Sequence, residues 1–170
     1  MLENIKTATF VISSNTYPAV RNMRMQKKLF ANQLSENREF YWYRQGTEKQ
    51  LLGKEANLIG NDLFLNINDD TLSMGKKTIM AFDWALKNIE FDFLIRPTPS
   101  SYINYSNLEN YIKTNFLDND IVYGGKIQET NNKFGQKIQF ASGSTLVLSK
   151  KCIEIITENQ NDWDHDYWDD

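Results

Sequence analysis

Cysteine is nearly absent from this chain of 170 residues: Cys152 stands alone, so no internal disulfide staples the fold. A domain of this length buries enough surface to hold together without one, and a single thiol suits a reducing compartment. Histidine is as scarce. His165 has Asp164 and Asp166 beside it but no Cys or His partner at ligand spacing, which argues for an exposed tail residue and against a zinc site. No run of about 18 apolar residues occurs, so no segment is expected to cross a membrane. The opening MLENIKTATF lacks the basic region and apolar stretch of a signal peptide, and the expected location is cytoplasmic. A basic surplus is also missing. Nineteen Lys and Arg face 22 Asp and Glu, for a net charge of −3, which weighs against nucleic acid as a partner while leaving room for a local cationic pocket. No repeat or low-complexity linker divides the chain, so residues 1–170 read as one domain.

What is present is ordinary for a globular protein: 41% hydrophobic and 13% aromatic residues. TATFVIS (7–13) reads as a buried strand running into a polar SSNT turn. Pro18 suits a first helical turn, and Val20, Met23, Phe30 and Leu34 follow at helical spacing, predicting a helix from Pro18 to Leu34. EFYWYRQ (39–45) and DLFLNI (62–67) read as strands. Ile79, Phe82, Leu86 and Ile89 mark one face of a helix over Gly75 to Asn88. FDFLIR (91–96) is a strand that Pro97 and Pro99 stop. Ser106 and Glu109 form a capping-box pattern for the next helix. DIVYGG (120–125) is a strand stopped by its glycines, and KIQFASGSTLVLS (137–149) reads as two extended pieces about a Ser-Gly-Ser turn. Ser149 is the expected N-cap of a helix from Lys150 to about Glu158. Alternating strands and helices predict an α/β sheet, parallel in its first half. Ligands of such sheets bind beyond the carboxyl ends of the strands. Those ends are Ser13-Ser14-Asn15, Arg96-Pro97-Thr98 and Gly124-Gly125.

The order of residues from Asp69 to Ile112 resembles the central block of β-1,3-galactosyltransferases and Fringe-like glycosyltransferases. Asp69 matches the block's opening Asp, Lys77-Thr78 its K-T pair, Trp84 its helix Trp, Arg96 the Lys after its strand, Tyr102-Ile103-Asn104 its F-V-N and Leu108 its final Leu. FASGSTLVLSKKCIEII (140–156) is similar to the family's glycine turn and following helix, and the closing Trp168-Asp169-Asp170 to its acidic motif. The resemblance implies a GT-A-like fold, a Rossmann-like mixed sheet flanked by helices. It also implies transfer of a hexose or N-acetylhexosamine from a nucleoside-diphosphate sugar, a UDP-sugar on family grounds, to a glycan or glycoconjugate hydroxyl with inversion. The alternative is a catalytically inactive nucleotide-sugar or carbohydrate-binding module of the same fold.

The resemblance assigns roles position by position. Asp170, or its neighbour Asp169, stands where the family has its catalytic base, with a solvated acidic tail as the rival reading. Ser13, Ser14, Asn15, Arg21, Lys77, Arg96, Thr98, Ser100 and Ser101 are the expected donor-binding set. Ser142, Gly143, Ser144 and Trp168 are the expected acceptor side, with Trp163 as a second stacking candidate. The pairs Asp69-Asp70 and Asp118/Asp120 are read as turn and cap residues. Two departures stand out. The family's acidic triplet, which holds Mn²⁺ or Mg²⁺, falls on Thr98, Pro99 and Ser100, none of which offers a carboxylate; the expectation is weak or absent metal dependence. The match also stops at Asp170, where the family continues through further elements, which leaves two readings, a natural short form and a C-terminally truncated domain.

Overall fold

The computed structural model describes residues 4–131 and 135–162. Seven strands form one mixed sheet: β1 (Thr7–Ile12), β2 (Arg38–Gln45), β3 (Ala56–Ile59), β4 (Asp62–Leu65), β5 (Phe93–Pro97), β6 (Tyr123–Asn131) and β7 (Lys137–Ser149). The order across the sheet is β3-β4-β2-β1-β5-β7-β6. The parallel strands β4, β2, β1 and β5 form its centre, β3 pairs antiparallel with β4, and β7 and β6 pair antiparallel beyond β5. The expected α/β sheet flanked by helices is therefore what the chain forms.

The two faces follow from strand alternation. Ala8, Phe10 and Ile12 of β1 enter a core with Ala81, Phe82 and Ala85 of α3 (Met74–Asn88) and Cys152 and Ile153 of α5 (Lys150–Glu158). Val11, between them, enters the opposite core with Met23 and Phe30 of α1 (Ala19–Ala31) and Tyr105 of α4 (Tyr105–Asn115). A fifth, one-turn helix between β2 and β3, α2 (Glu48–Leu51), is held by a Thr47/Gln50 capping box.

Several local expectations are corrected. The first helix stops at Ala31, and Leu34 lies exposed beyond it. The α4 cap is Asn104, whose side chain accepts from Asn107 N at 3.1 Å. Glu109 instead receives Arg38 bidentately, at 2.8 and 2.7 Å, pinning α4 to β2. The ladder of β5 continues one residue further than expected, to Pro97, opposite Thr145. The paired glycines do not stop β6, which runs on to Asn131. Gly125 serves close approach: a Cβ there would lie 3.0 Å from the Thr145 carbonyl oxygen. Among the described residues no helix is long and apolar enough to cross a membrane.

Candidate active site at the carboxyl edge

The connection from β1 leads through α1 to β2 on one side, while β5 flanks β1 on the other. This change of direction is the place where open α/β sheets form a crevice beyond the strand ends. Thr9 of β1 pairs with Ile95 of β5, so Ser13–Asn15 and the loop Thr98–Ser101 emerge side by side.

The loop after β5 is built from hydroxyls. Thr98 Oγ1 lies 3.2 Å from Ser100 Oγ and 3.0 Å from Ser101 Oγ. Ser101 Oγ donates to the Ser144 carbonyl at 2.6 Å, and Thr98 N reaches the same oxygen at 3.1 Å. Ser144 belongs to β7, a single strand where two extended pieces about a turn were expected. Gly125 pairs with Leu146 and Ile127 with Ala141, so Ser142–Thr145 stand opposite Lys126 alone. The segment is thus a large bulge inside one strand, a device that re-aims groups beside functional sites. Here it turns the Gly143 carbonyl onto Arg96 Nη1 at 3.0 Å. Arg96 is 1% exposed, and its Nε donates to Tyr43 OH at 3.3 Å. The guanidinium is thus buried among Tyr43 and the bulge of β7.

Gln26 of α1 was not foreseen. Buried at 3% exposure, it donates from Nε2 to the carbonyls of Thr98 (2.9 Å) and Ser101 (2.8 Å), clamping the loop at both ends. A Gln at an apolar position of the α1 stripe, three residues after Met23 and four before Phe30, was the signal available in the sequence. Its Oε1, and the Oγ of Ser13 (3% exposed), are buried without a protein hydrogen-bond partner. By strand alternation Ser13 shares its face with Val11, the side on which α1 packs.

Asp69 does more than the expected turn role. Its carboxylate accepts from Asn15 N, Gln45 N and Lys77 Nζ, each at 2.9 Å, tying together the loops after β1, β2 and β4. Lys77, 3% exposed, also donates to the Ser13 carbonyl at 3.1 Å, and Asn15 Nδ2 donates to Gln45 O at 3.0 Å. Asp70, by contrast, is the turn residue expected: it accepts from Ser73 N at 2.7 Å, and these bonds to Ser73 hold its carboxyl below the usual range.

The structure therefore gathers Thr98, Ser100, Ser101, Ser142, Ser144 and Arg96, and it joins Ser13 to Lys77 through the backbone. Ser14 Oγ is engaged with Thr16 Oγ1 at 2.7 Å. Arg21 is exposed on the first turn of α1, and no described hydrogen bond joins it to the cluster. Asp169, Asp170, Trp168, Trp163 and His165 lie outside the described residues. The divalent cation implied by the family resemblance does not fit the described groups. The loop offers hydroxyls in place of carboxylates, and Asp69 is already engaged by two amides and an ammonium.

No family model matches the chain, and no curated protein does. Among solved structures the chain is similar to the apo-form glycosyltransferase GlyE of Streptococcus pneumoniae TIGR4, at 12% identity and a TM-score of 0.44. The match covers 93% of this chain and 38% of that one, so the chain spans less than two fifths of the length of that structure.

Proposed function

We propose that the carboxyl edge binds a nucleoside-diphosphate sugar, a UDP-sugar on family grounds, and that the chain is a glycosyltransferase acting on a saccharide hydroxyl with inversion. The observation that carries this reading is the hydroxyl loop Thr98–Ser101, which follows buried Arg96 directly after β5 at the point where the sheet order changes direction. Ser13 and Asn15 border the nucleoside side. Ser142–Ser144 border the acceptor side.

The roles follow from the chemistry. As the sugar C1–oxygen bond breaks, negative charge grows on the diphosphate. Preorganised donors lower that cost most effectively where water is excluded. Arg96 supplies a fixed positive charge, and Ser100 supplies a hydroxyl proton from a loop whose shape is fixed by the bonds of Ser101 to the Ser144 carbonyl and of Thr98 to Ser101. The acceptor hydroxyl attacks from the opposite face as its proton passes to a carboxylate. The sequence resemblance gives that role to Asp170 or Asp169. Helix α5 supports it, because Gln160 and Asn161, just past its end, line a cavity of about 400 Å³ with Ile67 and Lys76. The chain is thereby delivered to the edge that carries the site.

The test measures UDP-sugar turnover and UDP affinity together in the wild type and in the double variant Asp169→Asn/Asp170→Asn. Loss of the base lowers turnover by roughly 10²–10⁴ and leaves affinity unchanged. Unchanged turnover would make the pair a solvated tail. A wild type that binds UDP but turns over no donor would favour the inactive binding module, a reading supported by the missing acidic triplet.

A further inference from the structure

Met23, Gln26 and Phe30 are the buried residues of α1. Met23 and Phe30 suit an apolar stripe. Gln26 breaks it, and its Oε1 is buried without a protein hydrogen-bond partner. A buried polar atom left unpaired lowers stability, so packing alone would favour an aliphatic residue here. Breaks of this kind in an otherwise consistent pattern gather at functional sites. The other end of the amide accounts for the choice: Nε2 donates to both Thr98 O and Ser101 O. Those carbonyls belong to the two ends of a β-turn. Ser101 N donates to Thr98 O at 3.1 Å, with Pro99 and Ser100 at the corner, and Pro99 stands where the fixed φ of proline suits a turn. One set of bonds ties this turn to β7, from Thr98 N and Ser101 Oγ to the Ser144 carbonyl. Gln26 ties it to α1. Ser100, at the corner, stays exposed.

We propose that Gln26 is a positioning residue for the donor diphosphate: from α1 it holds the turn in the one placement that presents Ser100 to the ligand. The proposal rests on the donor-site reading. Gln26 acts through the turn and not on the ligand, because both of its donated bonds end on turn carbonyls. Without them the turn keeps its own bond and its bonds to β7 but is free on the side of α1. It then visits placements that do not match the diphosphate. Apparent affinity falls in proportion to the fraction of molecules that hold the matching one.

The experiment is calorimetric titration of UDP on the full chain, with residue-resolved amide hydrogen exchange on the same proteins. Gln26→Met keeps the length of the side chain and removes its donors. It should weaken UDP on the order of tenfold, as a matching fraction of about a tenth requires. It should also speed exchange at the Thr98 and Ser101 amides more than at Phe10 and Ile95 in the sheet. Gln26→Asn keeps the amide but withdraws it by a methylene; it should do the same, and it carries the test if the methionine variant does not fold. Gln33→Met is the control. Gln33 makes two comparable bonds, to Ile103 O at 3.1 Å and from Tyr105 N at 3.2 Å, which hold the start of α4 and not the turn. Its loss should lower the melting temperature and leave UDP affinity at the wild-type value. Unchanged affinity in the Gln26 variants overturns the proposal. So does an equal loss in Gln33→Met, or faster exchange spread evenly over turn and sheet, the mark of a structural role alone. Wild-type binding of UDP in those cases leaves the donor-site reading standing. A wild type that binds no UDP overturns that reading and the role of Gln26 with it.

Discussion

At the scale of single residues, buried charge defines the site's floor. Lys77 and Asp69 form an ion pair at 2.9 Å whose side chains are 4% and 7% exposed. Removing one partner of a buried pair strands the other charge, at a cost of about 3–5 kcal/mol. Lys77→Met should therefore lower stability by that amount in urea denaturation. A variant as stable as the wild type but deficient in nucleotide binding would instead make Lys77 a ligand group. The sequence singled out Lys77 through its family position, but a lysine on an amphipathic helix reads equally as a solvated one. Burial excludes the solvated reading, and burial depends on β4 and β1 arriving beside α3, which no local pattern encodes. The same holds for Asp69, whose hydrogen-bond donors come from the loop after β1, the end of β2 and helix α3. Gln26 was missed because one polar residue in an apolar stripe carries no local sign of what it will face.

At the scale of elements, the strands with strong alternation or long apolar runs were legible: β1, β2, β4 and β5 lie within a few residues of their expected positions, as do α3 and α5. The illegible parts depend on pairing. The β3–β4 hairpin turns on Gly60, at φ 60°, between two four-residue strands too short to show a period. The Ser142–Ser144 segment reads locally as a turn, yet the pairing of Ala141 and Leu146 with β6 on either side of it keeps it inside a continuous, bulged strand. Tight packing where α2 folds back on β4 yields a prediction. A Cβ on Gly46 would lie 2.9 Å from Phe64 Cβ and 2.8 Å from Leu51 Cγ. Gly46→Ala should therefore destabilise by about 1–3 kcal/mol, as overpacking does. An unchanged denaturation midpoint would show that the loop after β2 shifts freely.

At the scale of the whole molecule, burial ties stability to pH. Desolvation pushes the phenols of Tyr41 and Tyr105 and the thiol of Cys152 above their ordinary values. Raised acids keep their protons longer in the folded state, so their contribution is complete below the unfolded values of about 8.5 for Cys and about 10 for Tyr, and it is lost as pH rises past them. Denaturation midpoints should fall between about pH 9 and pH 11; a flat profile there would contradict the burial of these groups. The three-layer architecture was legible in the alternation of elements. The sequence did not show which hydroxyls converge or that a bulge aims a carbonyl at Arg96.

The central claim is that this edge takes a nucleoside diphosphate without a metal held by its loop, and calorimetric titration of UDP in EDTA tests it most directly, with wild type and Ser13→Ala side by side. Ser13 Oγ has no protein partner, so its removal should leave stability nearly unchanged. A lost hydrogen bond to the ligand, worth about 0.5–1.5 kcal/mol, should weaken UDP by about 2- to 13-fold. The account predicts saturable binding in EDTA that the Ser13→Ala change weakens by that factor. No heat at millimolar UDP, binding that appears only when Mn²⁺ is restored, or equal affinity in both proteins would contradict it.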